Sequence, residues 1–146
     1  MYAGFRHWRV EDGTVDLIGA GSEWDFLPGN GLYVDLDGDL PDGYTCDPGR
    51  LVSRQRFVLR PGRYELSFRL AGSQRGDTNS VTVSLGTLFS ETITLESAAP
   101  LAEFRRTITV TQLSRTPLTF AHNVDAGLDG DNGFGLILDD VSVTRQ

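Results

Sequence analysis

The sequence predicts an all-β chain folded as a two-sheet antiparallel β-sandwich of jelly-roll type. Three observations predict it. Apolar and polar side chains alternate at a period of two through most of the chain. Clusters of Gly, Pro, Asp and Asn interrupt that alternation at 20–30, 38–50, 72–79, 97–101 and 123–133. No apolar stripe of helical spacing accompanies them. A chain of 146 residues is the size of one ordinary domain and can bury its own core, so a single sandwich over 1–146 is expected.

The elements follow in order. Leu32, Val34 and Leu36 share one strand face, which leaves Tyr33, Asp35 and Asp37 to a polar outer face. The stretch Leu51–Leu70 reads as a hairpin around Pro61-Gly62, a pair suited to the centre of a type II turn. Pairing outward sets Leu59 against Tyr64, Phe57 against Leu66, Gln55 against Phe68 and Ser53 against Leu70, all on one face. The same register sets Arg54 opposite Arg69, a like-charge pair that calls for a nearby anion. Val81, Val83 and Leu85 form the next apolar face. After it come Phe89, Ile93 and Leu95, then Phe104, Ile108 and Val110, then Leu118 and Phe120. His122 continues that last phase and reads as a core or rim histidine. The closing strand spans Phe134 to Val143, with Ile137, Asp139, Val141 and Val143 on one face.

Composition narrows the function. The formal net charge is −7, from 20 acidic and 13 basic residues, so nucleic acid is a poor partner. Every basic residue is Arg and none is Lys, which excludes lysine Schiff-base chemistry. The single cysteine, Cys46, allows no intramolecular disulfide and no Cys-rich zinc site. No apolar run is long enough for a membrane span, and Met1 to Trp8 carry no visible secretion signal. Phosphate loops, nucleophile elbows and zinc-protease motifs are absent from the sequence, so no enzyme is expected.

Several residues are candidates for binding. Trp24 and Phe26 lie in one loop and Tyr44 in the next. Aromatic faces beside carboxylates and amides suit a sugar, whose C–H face stacks on the ring while polar groups take the hydroxyls. The other reading of Trp24 is a plug at the end of the sandwich. Tyr33 and Asp35 join Trp24 and Tyr44 as the expected ligand-binding set. The pair Asp35 and Asp37 reads as ion pairing with Arg54, Arg56 or Arg69 rather than as an acid/base couple. The loop containing Asp125, Asp129, Asp131 and Asn132 does not meet the EF-hand pattern and reads as a solvated turn. Asp139, in phase with apolar neighbours, must be protonated, paired or metal-bound, and Ca²⁺ is one such partner; an Arg partner or a rim position are the others.

An ordered set of segments carries a resemblance. Trp8 is followed by Gly13-Thr14-Val15-Asp16-Leu17-Ile18-Gly19, Trp24 and Gly31-Leu32-Tyr33-Val34-Asp35-Leu36-Asp37-Gly38. Gln55-Arg56-Phe57, Pro61-Gly62-Arg63-Tyr64, Leu66-Ser67-Phe68-Arg69-Leu70-Ala71-Gly72 and Leu138-Asp139-Asp140-Val141-Ser142-Val143 come after them. From Trp8 on, the chain resembles the choice-of-anchor C family of bacterial exported proteins and related plant cell-wall proteins with a galactose-binding-like fold. The resemblance implies a galactose-binding-like jelly roll at the cell surface or outside the cell. Its implied role is binding polysaccharide or cell-wall glycan, and its implied cofactor is a structural Ca²⁺ held in part by Asp139. One departure matters. The family pattern begins with a strand of the Asn-Gly-x-Phe-Glu kind, whereas seven residues without an acidic side chain precede Trp8 here. Either the sequence starts after that strand or this member lacks it; a missing strand would remove an implied Ca²⁺ ligand and expose an unpaired sheet edge or an apolar groove. A neighbouring chain filling the gap would make a homo-oligomer, so a self-associating surface or matrix protein is the alternative expectation.

Overall fold

The structure is a computed structural model that describes residues 2–38, 47–123 and 133–146. Tyr44, Cys46, Asp125, Asp129, Asp131 and Asn132 lie outside the described residues. The strands in chain order are β1 (Trp8–Asp12), β2 (Asp16–Ile18), β3 (Tyr33–Asp35), β4 (Arg50–Ser53), β5 (Phe57–Leu59) and β6 (Gly62–Ala71). Then come β7 (Thr78–Leu85), β8 (Phe89–Glu96), β9 (Ala102–Val110), β10 (Ser114–Thr116), β11 (Leu118–Asn123) and β12 (Ile137–Arg145).

They form an all-β, two-sheet antiparallel jelly-roll sandwich. The first sheet runs β1-β4-β11-β7-β8 and the second β2-β3-β12-β6-β9, with β10 and β5 as a separate pair. The strand pairs are antiparallel throughout. The inward faces meet in one core built around Phe68, Phe120, Leu51, Leu66, Leu70, Leu85, Leu118 and Leu136. Phe68 is its hinge, with Phe104 stacked at 5.7 Å on one side and Phe120 edge-on at 5.4 Å on the other. His122 is buried, as its phase predicts.

Three sequence expectations are corrected. First, the Leu51–Leu70 hairpin does not form. β4 pairs with β1 and β11 in the first sheet, β5 pairs with β10, and β6 pairs with β12 and β9 in the second sheet. The chain changes sheets between Ser53 and Gly62, so Arg54 and Arg69 are not cross-strand neighbours. Phase agreement misled because strands of opposite sheets bury the same parity of side chains into a shared core. Secondly, Tyr33, Asp35 and Asp37 face away from the main core but are buried, not solvated. A second, smaller apolar cluster of Ile18, Tyr33, Ala71 and Ile137 covers that face, with Phe26, Leu27 and Leu101 packed on it. Thirdly, Asp139 does not share a face with Val141 and Val143. β12 pairs Asp139 with Arg69 but Ser142 with Ser67, so one extra residue is inserted between them. Asp140 takes φ 50° in this bulge, and the alternation slips by one. Leu138, Val141 and Val143 reach the main core, while Asp139 stays on the outer side with Ile137.

Candidate functional site

The site is built on the connection from β2 to β3. Three successive turns close this loop, through the N–H groups of Ser22, Asp25 and Asn30 on the carbonyls of Gly19, Ser22 and Leu27. Asp25 then ties it together. One carboxylate oxygen accepts the Gly21 N–H at 3.2 Å and the other accepts the Tyr33 hydroxyl at 3.0 Å. The same hydroxyl accepts the Leu27 N–H at 3.1 Å. Tyr33 is 1% exposed, and burial raises its phenol above the ordinary range. It is therefore a post for the loop, its oxygen already engaged.

Trp24 stands at the loop's exposed side. It is 64% exposed, so it does not plug the sandwich. Its ring lies 6.5 Å from that of Phe26, tilted by 58°. Phe26 anchors the pair from below, in the second apolar cluster.

Beneath Phe26 sits an arginine that the sequence reading did not single out. The Arg75 guanidinium lies between two rings, 4.5 Å from the Phe26 centroid and 4.7 Å from that of Phe134. Its edge donates to the Asp35 carboxylate at 2.5 Å, the Gly133 carbonyl at 2.7 Å and the Ser73 carbonyl at 3.2 Å. Asp35 is 2% exposed. Its other oxygen accepts the backbone N–H groups of Asp37 and Gly135, each at 3.1 Å. Only glycine fits at 135, since a Cβ there would strike that carboxylate oxygen. Burial pushes Asp35 up to about 7 against the pull of Arg75. The ion pair expected at Asp35 is thus present with a different partner. A buried carboxylate does imply a cation, but 13 arginines were available and the hairpin reading pointed to the wrong ones.

The clamp joins three segments: the Trp24 loop, the turn after β6, and the approach to β12. A guanidinium flanked by rings and fixed at its edge holds a rigid platform for the Trp24 ring. By contrast, the outer face of the first sheet is polar and carries no aromatic ring among the described residues. There the Thr82 and Thr92 hydroxyls lie 2.9 Å apart, and the Asn123 amide donates to Ser80 at 3.0 Å.

Asp139 is half-buried, and burial raises its carboxyl above the ordinary range. One of its oxygens accepts the Asp140 N–H at 2.8 Å. Asp140 contacts Arg69 at 3.5 Å. Among the described residues, no group of three or more His, Cys, Asp or Glu is placed to hold a metal ion. Two carboxylates beside an arginine fall short of the roughly six to eight oxygens that calcium takes, so the described residues here do not form a calcium cage.

No family model matches the chain, and no curated protein matches it in sequence. Solved structures match in fold. TmCBM61, solved in complex with β-1,4-galactotriose, is 20% identical, with a TM-score of 0.55 over 97% of this chain and 90% of that one. The CBM22-1–CBM22-2 tandem of Paenibacillus barcinonensis Xyn10C is 12% identical, with a TM-score of 0.60 over 97% of this chain and 46% of that one. The exo-β-1,3-galactanase Pc1,3Gal43A of Phanerochaete chrysosporium is 15% identical at a TM-score of 0.52; the match takes in 90% of this chain but only 26% of the galactanase. These likenesses show the fold: a galactose-binding-like jelly roll of the kind found in carbohydrate-binding modules, without singling out the choice-of-anchor C family.

Proposed function

We propose that the chain is a non-catalytic carbohydrate-binding module that works outside the cell or at its surface, with Trp24 as the stacking platform for a polysaccharide or cell-wall glycan. The observation that carries this reading is an exposed tryptophan on a loop whose underside is fixed by the Arg75 clamp. An exposed indole costs solvation unless something covers it, and a pyranose ring is a flat partner of the right size. In this reading Trp24 touches the sugar. Tyr33 and Asp35 act through the loop, by holding Asp25 and Arg75, and Tyr44 is a further contact proposed from sequence. The galactotriose in the TmCBM61 complex makes galactose-containing glycans a sensible first choice.

Affinity electrophoresis against a panel of soluble polysaccharides tests it, with and without calcium. At least one glycan is expected to retard the protein. Trp24→Ala is expected to abolish retardation and to shift stability by less than about 0.5 kcal/mol, as exposed positions do. Unretarded migration on every gel, or full retardation of Trp24→Ala, would overturn the proposal. Retardation lost in EDTA and regained with calcium would show that calcium takes part, and its loss in Asp139→Asn as well would place the ion at Asp139.

A further inference from the structure

β12 is nine residues long, but β3 pairs with it only at Ile137 and Leu138. Beyond Leu138 its ladder partner is β6 alone. From Asp139 to Arg145, the edge that faces away from β6 has no strand beside it among the described residues. Such an edge offers backbone N–H and C=O groups to an added strand. Beside it lies a groove of about 200 Å³ between the two sheets, lined by apolar side chains that include Trp8, Leu17, Val34, Leu51, Leu138 and Val141. Leu32, at 63% exposed, lines it too. So do Asp139, on the outer side with Ile137, and Asp140, inside the bulge.

We propose that this slot takes an extended polypeptide segment that alternates apolar and basic side chains, added as a strand to the free edge of β12. The backbone of the edge calls for a strand, because a strand satisfies a row of amides and carbonyls together. Period two sends alternate side chains to opposite sides. Those on the core side meet the apolar wall of the groove, and those on the other side meet Asp139 and Asp140 where they line it. Asp139 makes no ion pair among the described residues, and the exposed Asp140–Arg69 contact at 3.5 Å is readily exchanged. A second copy is the weaker occupant, because each copy carries a net charge of −7 and would bring its own Asp139 and Asp140 to the contact.

The test uses the full chain with two synthetic peptides, one alternating Arg and Val and the other alternating Glu and Val. Amide hydrogen exchange is read over Asp139–Arg145. The Arg-Val peptide is expected to slow exchange there about tenfold, with no effect from the Glu-Val peptide. In the double variant Asp139→Asn, Asp140→Asn the Arg-Val peptide is expected to bind about tenfold more weakly at an unchanged melting temperature. Asn keeps the size of both side chains and tolerates the left-handed backbone at 140. Equal slowing by both peptides, or by neither, would overturn the proposal. Slowing that needs no peptide and grows with protein concentration would give the slot to a second copy. Slowing of these amides by a soluble polysaccharide would give it to the glycan site.

Discussion

One side of the sandwich is closed and the other is open. On the closed side run β8 and β9, eight and nine residues long. Glu91 of β8 and Arg106 of β9 bridge the two sheets with a paired contact, Nε to Oε2 at 2.6 Å and Nη2 to Oε1 at 2.8 Å. On the open side run β1, β2 and β3, of five, three and three residues. The chain length not used in strands there forms the Trp24 loop, and the groove beside β12 opens between the sheets. Long regular strands hold the fold, while short ones free the chain to carry a site. The two sides also rest on different physics. The closed side depends on ladder and core, and the open side depends on one buried polar clamp.

Truncation of the shared core should break both sides together and have the largest effect. Phe68 is fully buried and touches the rings of Phe104 and Phe120. Phe68→Ala is expected to cost about 3–5 kcal/mol, read by urea unfolding. A cost near 1 kcal/mol would mean that the two sheets do not share this contact as described. Arg75→Ala should separate the sides. It leaves Asp35 buried without its cation, at a cost of about 3 kcal/mol, and it frees the Trp24 loop. Glycan retardation should then weaken even where the protein remains folded, and exchange should rise in the loop but not in β8 or β9. Equal rises on both sides would remove the distinction between them.

The same contrast explains what was legible in the sequence. The apolar faces Val81-Val83-Leu85, Ile108-Val110 and Leu118-Phe120 are buried as alternation predicts, because long strands pack one face on one core. Partners were less legible than faces. Leu59, Tyr64 and Leu66 are all buried, yet the strands that carry them belong to different sheets, since burial parity is blind to which sheet a strand joins. The bulge at Asp140 was not legible either, because Asp-Asp fits an uninterrupted strand as well as an interrupted one. In the site, the loop setting of Trp24 fitted an exposed platform and a plug at the end of the sandwich equally well, and its 64% exposure in the fold decides between them. The Asp35–Arg75 pair was not legible, because its two residues lie 40 positions apart and a loop guanidinium gives no local sign of its partner.

The clamp has a pH signature opposite in sign to that of the closed side. Burial raises Asp35 from 3.8 in an open chain to about 7 in the fold. Between those values the unfolded chain has released a proton that the folded chain keeps. Stability contributed by this group therefore falls as pH rises from about 4 to about 7, and is level above that. Urea unfolding at a series of pH values should show this slope in the wild type and lose it in Asp35→Asn. A wild type without the slope would mean that Arg75 keeps Asp35 ionised throughout.

The smallest effect is expected at the bridge that closes the other side. Hydrogen bonding to Arg106 holds the Glu91 carboxyl below its ordinary range, so its contribution is present above about pH 4.5 and fades as the medium becomes more acidic, opposite in sign to that of Asp35. Both side chains are about one-third exposed, at 34% and 33%, and water and salt screen the pair. Glu91→Gln should therefore cost only about 0.5 kcal/mol despite the good geometry, and less in high salt. A cost several times larger would show that the bridge, rather than the core behind it, keeps the β8–β9 side shut. The closed side would then depend on a polar contact as the open side does, and the difference between them would reduce to how deeply that contact is buried.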